Sequence, residues 1–266
     1  MERFEVAFEE VMTSDALPMD EIMRYVAAAR GKRLRPRLVF LTARLFGDIN
    51  DSTRRAALFS EMLHTATLIH DDVVDASDIR RGQATLNVQW DVVSAVLAGD
   101  YLLAKSLVQL SDPADYRILQ EMLSVAMMMC EGELLQHAEI SRQNDSNPHN
   151  IDAETYLNVI ERKTARLIRG CCMSGALSVM NEKTEDRSRK LELTGDFGLN
   201  LGLVFQMRDD ILDDDDPNST VLAKQLLPKY LDKALKALEA LTPYVKDQEA
   251  FEALRTLTVF CAERNH

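Results

Sequence analysis

The chain has 266 residues, of which 46% are hydrophobic and 28% are charged, and it is long enough to bury a sizeable core. Its 43 acidic residues outnumber its 31 basic ones and no basic tail or stripe is present, so nucleic acid is a poor candidate for the main partner. Helix formers dominate, and only 10 Gly and 7 Pro interrupt the chain, which predicts an all-α protein.

Signals for export or membrane insertion are not found in the sequence. The N-terminal MERFEVAFEE lacks the pattern of a signal peptide, and no run reaches the roughly 18 apolar residues that a membrane span needs. The 4 cysteines show no metal-ligand spacing and resemble reduced cytosolic thiols. We therefore expect no transmembrane segment and a cytoplasmic location.

The first helix is predicted in DEIMRYVAAA (20–29) and the next in RLVFLTARLFG (37–47), which stops at a glycine. Between them, GKRLRP forms a loop bounded by Gly and Pro. It carries Lys32 and Arg35, which suit the binding of a phosphate group. Taken alone, this motif is more often an ordinary basic surface.

A long helix is predicted over residues 52–75, because apolar side chains recur there with a helical period. His64, Asp71 and Asp75 lie on one polar stripe of this helix, and Asp72 lies about 100° round from Asp71. Mg²⁺ prefers oxygen ligands and is usually bound by one or two carboxylates together with substrate phosphates. A single motif of this kind would still be most simply a solvated helix end.

Arg80 and Arg81 follow this motif and predict a second anion site. Further helices are predicted over 87–110 and 116–140, with a polar loop at 141–150.

The next predicted helix, 152–180, places Lys163 and Thr164 on the same face as apolar Ile160 and Leu167. A cation on an apolar face either has an anionic partner from another element or extends its charged end to solvent.

A second acidic motif, 138 residues after the first, lies on a predicted helix over 189–214. It contains Asp209, Asp210 and Asp213, and Gln206 shares a face with the last two. Two such motifs in apolar surroundings make a merely solvated face a poor explanation. They indicate facing helices that hold a shared cluster of cations.

Small residues upstream on that face would let a neighbouring helix or a slim ligand come close: Gly195, Gly198 and Gly202. The tail is predicted to be helical from Leu222 onward, with breaks at Pro228 and Pro243. No repeat or linker divides the chain, so we expect one all-α domain over residues 1–266. Its carboxylates and its basic residues would both be satisfied by a diphosphate bridged by Mg²⁺.

The motifs resemble, in the same order, those of the trans-type polyprenyl diphosphate synthases: GKRLRP (31–36), HTATLIHDDVVDASDIRRG (64–82), VLAGDYLL (96–103), EGELLQ (131–136), RKTARLI (162–168) and FQMRDDILD (205–213). The resemblance covers roughly residues 20–215. It implies an isoprenoid-synthase-type helical bundle around a central cavity, usually a homodimer. It also implies the condensation of isopentenyl diphosphate with an allylic diphosphate such as geranyl or farnesyl diphosphate.

The resemblance further implies roles for individual residues. Several Mg²⁺ ions, or Mn²⁺ in their place, would be held by six aspartates: Asp71, Asp72, Asp75, Asp209, Asp210 and Asp213. These aspartates and Lys163 would be the catalytic residues. Contacts to the allylic diphosphate are implied for Arg80, Lys163, Thr164 and Gln206. Metal-free binding of isopentenyl diphosphate is implied for Lys32, Arg35, His64 and Arg81.

Product length is predicted from the turn before the first acidic motif. The growing chain would run from the aspartates past Ala66 and Thr67. Members of the family with short products resemble one another in carrying bulky aromatics there. The small residues of this chain thus predict a medium- or long-chain product, unless they only ease helix packing.

One departure from the family pattern concerns the segment after the second acidic motif. The family continues with a Gly–Lys pair and a flexible segment that closes over the substrates. Here DDDDPNSTVLAKQLLPKYL (213–231) passes directly into the helical tail, and no glycine follows Gly202. Lys224 is the nearest lysine, but its context does not match. A non-catalytic or regulatory subunit of a heteromeric synthase is therefore an alternative, although such subunits tend to lose the aspartates that are intact here.

Other protein classes share single features with this sequence. Glu61 and His64 have the Glu-x-x-His spacing of helical di-iron carboxylate proteins, as do Glu263 and His266 at the end of the chain. His64 with His70 and the following aspartate faintly resembles the HD phosphohydrolases, which leaves the second acidic motif unexplained. Terpene cyclases share the implied fold but do not need a second diphosphate pocket.

Overall fold

The computed structural model describes residues 1–29, 31–144 and 151–265, and these are almost entirely helical. The helices are α1 Glu2–Val11, α2 Leu17–Ala28, α3 Leu34–Phe46, α4 Asp51–Val74, α5 Leu86–Gln89, α6 Val92–Gln109, α7 Tyr116–Asn144, α8 Ala153–Ile160, α9 Arg166–Val179, α10 Arg187–Asp213, α11 Pro217–Glu239 and α12 Gln248–Glu263. Short 3-10 helices cover Pro113–Asp115 and Thr242–Tyr244, and one π-helical turn covers Glu161–Ala165. The all-α prediction is confirmed.

Three local predictions were wrong. The segment 87–110 is not one helix, because the chain bends at Trp90 and α6 begins anew with the Asp91 side chain capping Ser94 N. Arg35 lies in the first turn of α3 and not in a loop. The first turn of a helix tolerates a proline such as Pro36, because the N–H that proline lacks has no hydrogen-bond partner there. Pro228 does not break the tail: α11 continues through this exposed position, where the freed carbonyl can be solvated.

A hydrophobic core extends from Phe4 in α1 to Ala262 in α12 and includes buried side chains of α2, α3, α4, α6, α7, α9 and α10. This continuity supports the single domain, which stays a prediction. A second, smaller cluster lies where α8, the π-helical turn, α10 and α11 meet: Tyr156, Ile160, Ala165, Leu203, Met207 and Ala223.

A short β-hairpin that the sequence did not predict connects α4 to α5. Its strands are β1 Ile79–Arg80 and β2 Gln83–Ala84, paired antiparallel. Arg81 and Gly82 form the two-residue turn with φ values of 51° and 77°. Positive φ at both central positions is what a type I′ turn requires, and glycine adopts it freely. The hairpin turns Arg80 back towards the end of α4.

Backbone contacts at glycines hold the π-helical turn in place. A Cβ on Gly202 of α10 would lie 2.5 Å from Cα of Ala165, and one on Gly132 of α7 would lie 2.7 Å from the backbone N of Lys163. The close approach predicted along α10 is therefore made by a neighbouring helix. The turn that carries Lys163 is packed between α7 and α10 without side chains in between.

We expect Gly202→Ala to lower the free energy of unfolding by roughly 1–3 kcal/mol, because the new methyl group would overlap a backbone atom and separate α10 from the π-helical turn. Urea unfolding followed by circular dichroism measures the change. Gly195→Ala is the matched control on the same helix, since its Cβ would meet only side-chain ends, the Arg169 guanidinium at 3.3 Å and the Met173 sulfur at 3.4 Å. Equal stability of the two variants would contradict the role of Gly202.

Candidate active site

The first acidic motif lies at the end of α4, where its carboxylates have different surroundings. Asp72 is 7% exposed and accepts a charge-assisted hydrogen bond from Nε of Arg80, which the β-hairpin delivers. Burial raises the pKa of Asp72, and the Arg80 hydrogen bond opposes that rise. Asp75 is the exposed C-cap of α4. Asp72 is thus already paired with a cation, whereas Asp75 faces solvent.

Asp71 is a half-buried carboxylate whose charge is not balanced by an ion pair among the described residues. Burial, followed by the negative charge of Glu133, raises its pKa to about 6, although the charge of Lys163 opposes this. Such a group favours the arrival of a proton or of a metal cation.

Lys163, which lies on an apolar helix face, forms an ion pair with a glutamate of another helix. Its Nζ lies 2.9 Å from Oε1 of Glu133, the glutamate of the EGELLQ motif on α7. Glu133 was not among the predicted site residues, although Gly132 beside it was a usable signal of close packing. The charge of Lys163 lowers the pKa of both Asp71 and Asp210, so this lysine lies within electrostatic reach of both acidic motifs.

Asp210 in the second acidic motif is held by neutral donors on both carboxylate oxygens. Tyr156 donates its hydroxyl to Oδ2 at 2.5 Å, and Gln206 donates its amide to Oδ1 at 2.8 Å. Thr164 donates in turn to the side-chain carbonyl of Gln206 at 2.7 Å. Burial raises the pKa of Asp210, and the two hydrogen bonds oppose that rise. The predicted set Thr164, Gln206 and Asp210 is therefore one hydrogen-bonded network.

Asp209 is paired with a residue that sequence reasoning missed. Arg264, at the C-cap of α12, donates to Oδ1 of Asp209 and to the carbonyl of Phe205, and its guanidinium lies 4.4 Å from the centre of the Phe205 ring. No spacing in the sequence predicts this contact across 55 residues. Asp213, the last residue of α10, is exposed.

A cluster of positively charged groups surrounds His64, which lies about two turns before Asp71 on α4. The guanidinium of Arg35 has a buried Nε without a hydrogen-bond partner among the described residues. Burial and the charges of Arg35 and Arg81 hold the pKa of His64 well below its usual value, so His64 is neutral at pH 7. The loop at Gly31 packs against Arg81, since a Cβ there would lie 2.8 Å from its guanidinium. This excess of cationic groups around a neutral histidine suits an anion.

Two further residues complete this basic cluster. Arg33, which the sequence analysis did not single out, is 6% exposed and forms ion pairs with Glu5 and Glu61, at 2.9 Å to the latter. Lys32 is exposed, and its positive charge acts on Cys261 of α12. The structure therefore brings Arg35, His64 and Arg81 together. Lys32 lies at the edge, on the side of α12.

The carboxylates suit Mg²⁺ in their donor chemistry, because all supply hard oxygen atoms. Within the described ranges, no group of three or more His, Cys, Asp or Glu side chains converges on one point. Such separated carboxylates suit cations that are each held by one or two carboxylates, with a diphosphate supplying further oxygen ligands. Asp71, with its uncompensated charge, fits this use best.

The metal chemistries of the other protein classes do not match this geometry. Glu61 is committed to its buried ion pair with Arg33, which leaves it poorly placed as a ligand of a di-iron centre. His266, the last residue of the second Glu-x-x-His spacing, lies outside the described residues. His70 directs its ring to α6, with Nε2 3.3 Å from Asp100 and in contact with Gly99, away from the cluster around His64.

Comparison with known proteins identifies the family. The family model described as polyprenyl synthetase matches residues 18–226, which is most of the chain. The chain belongs to the polyprenyl synthetase family. Octaprenyl diphosphate synthase of Escherichia coli is 35% identical over 208 residues, 78% of this chain and 61% of the relative. A geranyl-diphosphate-specific all-trans-nonaprenyl-diphosphate synthase of Rhodobacter capsulatus is 37% identical over 206 residues, 77% of this chain and 59% of the relative.

Solved structures of this polyprenyl synthetase family have the same fold. Heptaprenyl diphosphate synthase from Staphylococcus aureus gives a TM-score of 0.83 at 25% identity, covering 100% of this chain and 97% of the other. A polyprenyl synthase from Caulobacter crescentus, in complex with calcium and isoprenyl diphosphate, gives 0.81 at 27% identity, covering 100% and 95%. The isoprenoid-synthase fold is confirmed. The chain spans about three fifths of the length of the curated relatives it matches.

We expect Asp71→Asn to stabilise the metal-free protein at pH 7 by roughly 1–2 kcal/mol, because it removes a desolvated charge. The pKa of Asp71 is raised on folding from 3.8 to about 6, so the folded state binds the extra proton between these values. The stability of the wild type therefore falls as the pH rises through that window, and the gain from asparagine disappears at pH 4.

Unfolding in urea with EDTA at pH 4 and pH 7 measures this gain. Asp75→Asn, at the exposed end of the same motif, is the control and should change the free energy of unfolding by less than about 0.5 kcal/mol. A less stable Asp71→Asn variant at pH 7 would count against the uncompensated charge.

Proposed function

We propose that this chain is a Mg²⁺-dependent prenyltransferase. It condenses isopentenyl diphosphate with an allylic diphosphate, geranyl or farnesyl diphosphate, and makes a medium- or long-chain trans-polyprenyl diphosphate for isoprenoid biosynthesis. The observation that carries the proposal is the pairing of two different anion sites. In one, Lys163 acts on both acidic motifs, and in the other, Arg35 and Arg81 surround the neutral His64.

The site with the two acidic motifs would bind the allylic diphosphate. Diphosphate leaves readily only when its charge is neutralised, and Mg²⁺ would supply Lewis-acid stabilisation there. We assign the metal to the carboxylates of both motifs: Asp71, Asp72 and Asp75 on one side and Asp209, Asp210 and Asp213 on the other. Calcium and isoprenyl diphosphate in the Caulobacter crescentus relative support a divalent cation beside a prenyl diphosphate.

The protein's own groups then receive the charge that develops on the leaving diphosphate. Lys163 and Arg80 provide positive charge, and each is already oriented by an acidic partner, Glu133 or Asp72. Thr164 and Gln206 are fixed by their mutual hydrogen bond. Preorganised donors of this kind stabilise charge without reorganising during the reaction.

The basic cluster would bind isopentenyl diphosphate without metal. Among the described residues, Arg35 has an unpartnered Nε, and Arg81 makes only a long contact of 3.5 Å to the Ala29 carbonyl. Both guanidiniums therefore retain donors for phosphate oxygens. His64, held neutral by its surroundings, would donate one N–H, and Lys32 would close the site from its edge.

No protein nucleophile is required for this reaction, and the buried cysteines agree with that. Burial raises the pKa of Cys171 to about 12 and that of Cys172 well above its usual value, so both remain thiols. The double bond of isopentenyl diphosphate would attack the allylic cation, and the cation formed by that attack would lose a proton to the released diphosphate, which restores a double bond. Apolar walls that exclude water would protect the allylic cation from quenching.

The alternative of a non-catalytic or regulatory subunit has one supporting observation. Only Asp214–Asp216 separate α10 from α11, so no closing segment lies between the second acidic motif and the tail. A relative from Geobacillus stearothermophilus, 35% identical over 210 residues, is named component 2 of a heptaprenyl diphosphate synthase. A partner that completes the site would be needed in that case. Activity of the isolated chain decides between the two.

We further propose that two copies associate through α6 and α7. Apolar side chains are exposed there: Val92, Val93, Val96, Leu97, Leu123, Met127 and Leu134. Within the described residues, α6 alone is long and apolar enough to cross a membrane by length and composition, and 28% of it is buried. Burying this face against a second copy would remove it from water. A single-chain mass in sedimentation equilibrium would contradict the homodimer.

A cytoplasmic location is part of the same proposal. The four cysteines are all free thiols, as expected in a reducing compartment. Recovery of the protein in a washed membrane fraction would contradict this location.

We expect the isolated chain to transfer radiolabelled isopentenyl diphosphate to farnesyl diphosphate in the presence of Mg²⁺. Asp71→Ala and Asp209→Ala should each lower turnover by about 10²–10³-fold or more, because metal stabilisation of the leaving group is lost. EDTA should abolish the reaction. Asp48→Ala, an exposed acidic residue remote from both motifs, is the control. Transfer that survives EDTA or either motif variant would refute the two-motif arrangement.

We expect Thr67→Phe to shorten the product, because it adds a ring to the half-buried face of α4 one turn before Asp71. Thr67 is the better test than Ala66, which is 1% exposed within the core, where a phenylalanine would also strain the packing. The rate of the first condensation should change little. Chromatography of the dephosphorylated prenols measures the length, and an unchanged distribution would mean that the chain grows elsewhere.

A further inference from the structure

Tyr156 is a buried aromatic residue to which neither the motifs nor the proposed mechanism assigns a role. It lies in α8, is 2% exposed, and belongs to the smaller hydrophobic cluster with Ile160 and Met207. Its hydroxyl nevertheless points at the second acidic motif, where it donates to Oδ2 of Asp210 at 2.5 Å. A buried tyrosine hydroxyl usually finds one partner, and here the partner is a carboxylate of the site.

The contact completes the network at Asp210. Gln206 occupies the other oxygen, and Thr164, one residue beyond Lys163, orients Gln206. Asp210 is thereby joined to the π-helical turn by Gln206 and Thr164 and to α8 by Tyr156. Its carboxylate cannot rotate without breaking one of these bonds.

The donors at Asp210 differ in kind from those at Asp72 and Asp209 in the two acidic motifs. Asp72 is paired with Arg80 and Asp209 with Arg264, both cations. Tyr156 instead donates a neutral hydroxyl, so its hydrogen bond brings no positive charge to Asp210. Asp210 is consequently oriented without having its negative charge cancelled.

We propose that Tyr156 is a positioning residue that acts through Asp210: by fixing that carboxylate while leaving its charge intact, it raises the affinity of the second acidic motif for a divalent cation together with diphosphate. This inference rests on the proposed function. Outer groups that orient metal-binding carboxylates typically change metal affinity about 10–100-fold when removed. A hydroxyl that only joined α8 to α10 would affect stability and leave the affinity unchanged.

The test is a double-mutant cycle on cation binding. Mn²⁺ binding to the full chain in the presence of inorganic diphosphate is measured by electron paramagnetic resonance for the wild type, Tyr156→Phe, Asp210→Asn and the double variant. Phenylalanine keeps the ring that packs in the cluster, and circular dichroism verifies the fold. We expect Tyr156→Phe to weaken binding about 10–100-fold in the wild-type background and by less than about twofold in the Asp210→Asn background.

The matched control is Tyr101→Phe. This substitution also removes a hydrogen bond, because the half-buried hydroxyl of Tyr101 donates to the Thr13 carbonyl at 3.2 Å. Tyr101 lies on α6, away from the second motif. Its Mn²⁺ affinity should equal that of the wild type. Unchanged affinity in Tyr156→Phe would overturn the proposal, and so would an equal loss in both backgrounds or a matching loss in Tyr101→Phe.

The KM values for the two substrates, measured separately, distinguish this inference from the proposed function. Tyr156→Phe should raise the KM for the allylic diphosphate and leave the KM for isopentenyl diphosphate unchanged, whereas a general loss of stability would not distinguish the two substrates. A wild type that binds Mn²⁺ and diphosphate but transfers no prenyl group refutes the proposed function, and the binding cycle still decides the role of Tyr156. A wild type that binds neither overturns both.

Discussion

The packing of the π-helical turn at Glu161–Ala165 between two glycines is the constraint on which the site depends. Gly132 and Gly202 let the backbones of α7 and α10 touch the turn directly, so its position is set by main-chain contact. A π-helical turn widens the helix and is often found at functional sites. Here it places Thr164 beside Gln206 and Lys163 beside Glu133 of α7. This packing holds Lys163 where its charge acts on both Asp71 and Asp210.

The electrostatic design follows from that placement. The aspartates of the two motifs that lie below the surface tolerate burial in three ways. Asp72 and Asp209 have arginine partners, Asp210 has neutral donors, and Asp71 is left with an uncompensated charge. The positive groups are likewise divided, because Lys163 is paired whereas Arg35 retains a free donor. The site therefore combines preorganised charges with a few that only a ligand can satisfy.

How far the sequence could predict the molecule depended on the range of the interactions. Helical periodicity and the two acidic motifs were sufficient for the all-α fold and for the grouping of Gln206 with Asp210, which are local relations. The hairpin that returns Arg80 to Asp72 was missed, because two-residue strands carry almost no pattern. Tyr156 and Arg264 were missed because their partners are 54 and 55 residues away in the chain. Only the packing of α8 and α12 brings them to the site.

The short connection between α10 and α11 limits how the protein can move. Asp214–Asp216 span at most about 10 Å when extended, and Asp216 is already fixed as the N-cap of α11 through Asn218 and Ser219. Such a tether has no slack for a segment that swings over a ligand and back. On this side of the second acidic motif, access would then change by collective shifts of packed helices, on the microsecond-to-millisecond scale. The residence time of a bound diphosphate would be governed by the stiffness of the bundle.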